Sequence, residues 1–203
     1  RVRGQPDPFA AATQGEAKAP LMRSPVPDYL AELLGNCADV TSGSPADYIP
    51  ELAGADPSLA AAAICTVDDS HHSAGDDLVQ FTIQSMSKPF AYALAIEMLG
   101  LDAVLAKIGV EPSGEAFNEI SLEPESGRPR NAMINAGAIL THSLVDGEDS
   151  AARSERVREG FSRFAGRDLV VDEGAFASEL ESAHRNLGMA HLLKASGTLD
   201  CDP

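Results

Sequence analysis

Ser85 and Lys88, separated by Met86 and Ser87, form an S-x-x-K arrangement that leads into Pro89, Phe90 and a long apolar stretch. On a helix, residues three apart are surface neighbours, so this spacing puts a hydroxyl and an amine on one face. A serine hydroxyl becomes a useful nucleophile only when a base takes its proton. A lysine can be that base only if burial or nearby cations bring its pKa down from about 10.4 toward neutrality. Apolar burial is available on both sides: Phe81 and Ile83 precede the pair, and Phe90, Leu94, Ile96, Met98 and Leu99 follow it. Read alone, the pair is also compatible with an ordinary helix start that carries a solvated lysine.

The elements that must hold this pair follow from periodicity and punctuation. Residues 1–25 are rich in Pro, Gly, Ala and Gln without periodicity, which predicts a disordered extension before a domain spanning 26–203. Tyr29–Leu34 has a short helical pattern, and Pro50 makes Asp47-Tyr48-Ile49 extended. Leu59–Val67 and Leu78–Ile83 are apolar runs around the polar segment 68–77. They predict an antiparallel hairpin whose second strand delivers the chain directly to Ser85. Met86–Leu99 is apolar nearly all round and reads as a core helix ended by Gly100, with Pro89 tolerated in its first turn. Leu101–Ile108 predicts a second helix with Val104, Leu105 and Ile108 inward, and Met133–Val145 another. Two or three further helices fill Glu155–Lys194 and close at Gly197. Strands in front and helices behind predict an α+β fold, a sheet packed with a helical region.

Composition narrows the function classes. The chain has 203 residues, 44% hydrophobic and 23% charged, with a net charge of −16. That acidity argues against nucleic acid or an anionic membrane as partner, since both require a basic footprint. No run approaches the roughly 18 apolar residues of a membrane span, and no secretory signal pattern is visible. The three cysteines, Cys37, Cys65 and Cys201, have neither disulfide-framework nor metal-ligand spacing and predict buried, reduced thiols in a cytoplasmic protein. His71-His72 reads as a polar turn rather than a metal site.

Several stretches, in order along the chain, carry a resemblance. They are Ala46-Asp47-Tyr48-Ile49-Pro50-Glu51-Leu52-Ala53, Ser73-Ala74-Gly75-Asp76, Phe81-Thr82-Ile83-Gln84-Ser85-Met86-Ser87-Lys88-Pro89 and Glu111-Pro112-Ser113-Gly114 with Phe117-Asn118. Asn131-Ala132-Met133-Ile134-Asn135-Ala136-Gly137-Ala138-Ile139 follows, then Ser178-Glu179 and Arg185-Asn186. Together they resemble the serine-dependent glutaminases, within the wider group of serine β-lactamases and penicillin-binding proteins. The resemblance implies hydrolysis of L-glutamine to L-glutamate and ammonia through an acyl-serine, without cofactor or metal, by a homo-oligomer (dimer or tetramer).

On that resemblance Ser85 is the nucleophile and Lys88 helps to deprotonate it. The Ser85 backbone N–H, at a helix N-terminus, is a natural half of an oxyanion hole. Tyr48, Gln84, Asn135, Glu179 and Asn186 are the substrate contacts, with Glu179 the partner for the ammonium group. Without the resemblance, a small-residue packing seam is a plausible but lesser reading for Asn135, and a solvated helix charge is the default for Glu179. On one continuous helix, Glu179 and Asn186 would share a face about two turns apart, where an acid buried beside an amide is better explained by a ligand than by stability.

Departures are informative. Ala132 stands where the family usually has proline, and Asp68-Asp69 replaces an Asp-Gly turn. The resemblance also implies a longer domain, with later tyrosines and a Lys-Ser-Gly-type strand that complete the site and the main sheet. A chain reaching only Pro203 is therefore expected to have an incomplete sheet and little or no activity. Two other readings compete: a non-catalytic truncated paralogue or binding fragment, and a penicillin-recognising serine acyltransferase. No Ser-Asp-Asn or Lys-Thr-Gly triplet supports the latter.

Overall fold

The computed structural model describes residues 24–203; most of the predicted N-terminal extension lies outside the described residues. Those residues form two compact units, one comprising described residues 24–43 and 58–78, the other residues 44–57 and 79–203.

In the first unit, helix α1 (Val26–Cys37) packs on a two-stranded antiparallel sheet, β1 (Ala61–Cys65) and β2 (His71–Gly75). The predicted hairpin therefore exists with a different second strand. The turn closes early: Thr66 N–H donates to Ser70 O at 3.0 Å, and Asp69 N–H to Thr66 O at 3.0 Å. Asp69 takes φ 64°, the left-handed geometry that a glycine would adopt without strain. With the chain reversed there, His71–Gly75 is the segment in register, pairing Cys65 with His71 and Ala61 with Gly75. His71-His72 is thus strand, not turn. Residues 78–83 form no strand, and Leu78 and Phe81 are 91% and 77% exposed. Gly75 has φ 81°, and a Cβ there would meet Ala60 O at 2.2 Å. The cysteines are not buried either: Cys37 and Cys65 are exposed and Cys201 is half-buried. Cys37 and Cys65 are the last residues of α1 and β1, and Cys201 lies in the irregular segment after α8.

The second unit is helical. It runs α2 (Pro50–Ala53), a 3-10 turn (Gln84–Met86), α3 (Ser87–Leu99), α4 (Leu101–Lys107), α5 (Asn135–Ser143), α6 (Ser150–Ala165), α7 (Glu173–Ser182) and α8 (His184–Ala195). Helix α3 is the hub, packed against α4, α5 and α6, while α5 also meets α8. Its apolar character all round is what a central helix requires. Gly100, at φ 83°, ends it and lets α4 start at once. As predicted, Val104 and Ile108 are fully buried, and they join Leu140, Met189 and Leu193 in one core. Each such side chain contributes about 1.5–3 kcal/mol by leaving water. A second cluster, Leu94, Val145 and Val157, lies where α3 meets α6. Gly160 lets the helices approach there: a Cβ would come within 2.7 Å of the Leu94 side chain, which would have to shift. Side chains of Asp149 and Asp172 cap α6 and α7 by accepting from Ala152 and Ala175 N–H.

Candidate active site

Ser85 lies at the centre of the 3-10 turn that opens α3 and is exposed. Its backbone N–H is among the first-turn donors that have no intrahelical acceptor. The preceding residue, Gln84, holds φ 45°, unusual for a residue with a side chain. Two hydrogen bonds fix that conformation: Tyr48 OH donates to Gln84 Oε1 at 2.9 Å, and Gln84 Nε2 donates to Thr82 Oγ1 at 3.2 Å.

Lys88, on the first turn of α3, is buried, with 9% of its surface exposed. Its Nζ donates to Met133 O at 2.9 Å and to Asn135 Oδ1 at 2.8 Å, not to Ser85. The Phe117 ring lies 5.6 Å from the same nitrogen. Burial holds the Lys88 amine below its ordinary pKa, the direction a base for serine requires.

Asn135 is placed by several constraints at the start of α5. Its N–H donates to Phe117 O at 2.9 Å. Asn131 Oδ1 accepts from Met133 and Ile134 N–H, while Asn131 Nδ2 donates to Glu111 O. The small-residue seam is also real: Ala136 and Gly137 are buried, and a Cβ at Gly137 would reach Asn131 O at 1.9 Å. The seam seats the helix, and Asn135 at its start accepts from Lys88. Asn135 Nδ2 then donates to Asn186 Oδ1 at 3.1 Å.

Glu179 and Asn186 do not share one helix. The chain breaks at Ala183, with Glu179 near the end of α7 and Asn186 at the start of α8. Nor are they buried: Glu179 is half-buried and Asn186 exposed. Glu179 interacts with the Tyr48 hydroxyl, and partial burial together with that carboxylate pushes the phenol above its ordinary pKa. Ser178, beside Glu179, donates to Glu51 Oε1 at 2.9 Å and ties α7 to α2. One run of contacts links Glu179, Tyr48 and Gln84, and a second links Lys88, Asn135 and Asn186. The chain from Gln84 through Ser85 to Lys88 joins them.

The glutaminase family model matches residues 43–203. The chain belongs to the glutaminase family. A glutaminase of Corynebacterium glutamicum is 52% identical over 182 residues, covering 89% of this chain and 44% of the relative. One from Trichormus variabilis is 46% identical, covering 93% and 56%. Among solved structures, native Mglu superposes with a TM-score of 0.82 at 50% identity, over 89% of this chain and 44% of Mglu. The probable glutaminase ybaS gives 0.85 at 36% identity, over 90% and 59%. The fold of this glutaminase-family chain is thus the α+β, serine β-lactamase-like one, and the chain spans roughly half the length of these relatives.

Sequence reasoning assigned no role to Phe117, Asn131 or the Met133 carbonyl. Phe117 and Asn131 sit within the matching blocks, so a signal was present. A backbone carbonyl offers none, because its direction is set by the fold and not by the side chain.

Proposed function

We propose that this chain carries the serine–lysine centre of a glutaminase acting on L-glutamine. Ser85 Oγ attacks the side-chain amide carbon, and its proton passes to the Lys88 amine. The Lys88 ammonium gives that proton to the amide nitrogen as the tetrahedral intermediate collapses and ammonia leaves. Water then hydrolyses the acyl-Ser85, one of its protons returning to Ser85 Oγ, to release L-glutamate. The observation that carries the reading is Lys88. A buried amine held below its ordinary pKa stands three residues from an exposed serine at a helix start. Family membership supplies the substrate class, and Mglu has been crystallised in a glutamate form.

The surrounding groups suit a zwitterion. Glu179 offers a carboxylate to the α-ammonium beside Tyr48 and Gln84. Lys88 Nζ donates to the Asn135 side-chain oxygen, which leaves the Asn135 amide N–H to donate to Asn186. Asn186 then accepts through its oxygen and keeps its own N–H groups for a carboxylate. The Ser85 N–H serves as one oxyanion donor. The same proposal takes the protein to be a cytoplasmic homo-oligomer with glutamine as its small-molecule partner. Its charge of −16 disfavours nucleic acid and anionic membranes, and no described helix is long and apolar enough to cross a membrane.

The test grafts this chain in place of the matched segment of the Corynebacterium glutamicum glutaminase and measures ammonia release from glutamine. Ser85→Ala should lower turnover by about a millionfold, as when one member of a nucleophile–base unit is lost. Turnover by Ser85→Ala within about tenfold of the parent chimera would refute the assignment.

A further inference from the structure

The hairpin unit holds a donor set that the glutaminase reading does not use. Cys65, the last residue of β1, is the register partner of His71, the first of β2. Directly opposed residues of an antiparallel pair project from the same face. Cys65 Sγ lies 4.0 Å from His71 Nε2, and Asp69 Oδ1 lies 3.1 Å from the same nitrogen. The three donor atoms fall within 4.8 Å of one another. We propose that Cys65, Asp69 and His71 form a three-ligand site for zinc(II) or a comparable divalent transition metal.

Three arguments support the assignment. The first is geometry: donors bound tetrahedrally at about 2.0–2.3 Å lie roughly 3.3–3.7 Å apart, a spacing that the observed 3.1 and 4.0 Å bracket. The second is the chemistry of the set. Thiolate, imidazole and carboxylate together suit zinc, whereas calcium and magnesium take oxygen donors. The third is preorganisation. The Thr66–Ser70 backbone bond, the Asp69–Thr66 bond and the Thr66 hydroxyl donating to Asp68 close the turn that carries Asp69.

Binding replaces the His71–Asp69 contact with two metal bonds; Nε2 binds through its lone pair with the imidazole proton on Nδ1, and the Cys65 thiol proton leaves to solvent. No electron transfer is involved. All three residues are exposed, so water fills the fourth position and the metal exchanges freely.

The untagged 203-residue chain is titrated with cobalt(II). One equivalent should give a near-ultraviolet thiolate-to-cobalt band that zinc(II) displaces. Cys65→Ser should abolish the band, and Asp69→Asn or His71→Asn should weaken binding by at least about tenfold. Cys37→Ser and Cys201→Ser should leave it unchanged. In the unmodified chain, zinc(II) should slow maleimide labelling of Cys65 but not of Cys37, which keeps the test independent of variant folding. A band that survives Cys65→Ser or is lost in Cys37→Ser, or Cys65 labelling indifferent to zinc, would overturn the site.

Discussion

The Lys88 ammonium and the Asn135 side-chain oxygen lie 2.8 Å apart, joining the first turn of α3 to the first residue of α5. This bond sets the orientation of a polar chain: with the Asn135 oxygen on Lys88, the Asn135 amide N–H donates to Asn186 Oδ1. The buried amine exchanges water for a carbonyl, an amide oxygen and an aromatic face.

Lys88 should make stability depend on pH. Its folded pKa is depressed from an ordinary value of 10.5, so between those values the unfolded chain binds the extra proton. Stability therefore rises with pH across that window, and is lowered as pH falls through the folded pKa and the buried amine becomes charged. Urea denaturation of the 203-residue chain and Lys88→Met from neutral pH to about pH 10 checks the sign. The advantage of Lys88→Met over the parent should shrink as pH rises; a constant difference would contradict the assignment.

Asn135→Asp keeps the shape and puts a carboxylate beside Lys88. An opposite charge this close should raise the amine pKa by about 1–3 units. In the chimera, the alkaline shift of the pH–rate profile should match the shift seen by NMR titration of the Lys88 side chain. Lower turnover at neutral pH should accompany it, by about ten- to a thousandfold.

Gln84 stores strain next to Ser85. A non-glycine residue in the left-handed region costs about 1–3 kcal/mol, and Gln84 sits at φ 45°. Gln84→Gly should leave thermal stability equal or higher while lowering turnover of the chimera, because the bonds to Tyr48 and Thr82 are lost. A clear drop in melting temperature would show that the side chain mainly supports the fold.

Gly75→Ala should destabilise the hairpin unit by about 1–3 kcal/mol, since it combines φ 81° with a Cβ 2.2 Å from Ala60 O. Hydrogen exchange of the Ala61–Cys65 amides should speed up, with Leu140 and Leu193 in the helical core unaffected.

The sequence by itself marked Ser85 and Lys88 as a candidate pair and laid out the helical core. Ser85 and Lys88 are local, three residues apart, and the continuous apolar run of α3 and the apolar spacing of α4 are read directly along the chain. Gly100 and Pro50 mark boundaries through their own backbone preferences. Tertiary structure decided what periodicity cannot encode. The hairpin partner was set by where the turn closed: left-handed Asp69 brought His71–Gly75 into register while the more apolar 78–83 went unpaired. The same register placed Cys65 against His71, a proximity that spacing along the chain does not reveal. Lys88 reaches the Met133 carbonyl and Asn135 only because α5 packs on α3, with Gly137 allowing close approach to Asn131. The break at Ala183 put Glu179 and Asn186 on different helices, so their relation arises from packing between helices and not from a helical period. Contacts between residues distant in sequence depend on how whole surfaces fit, and no local pattern carries that information.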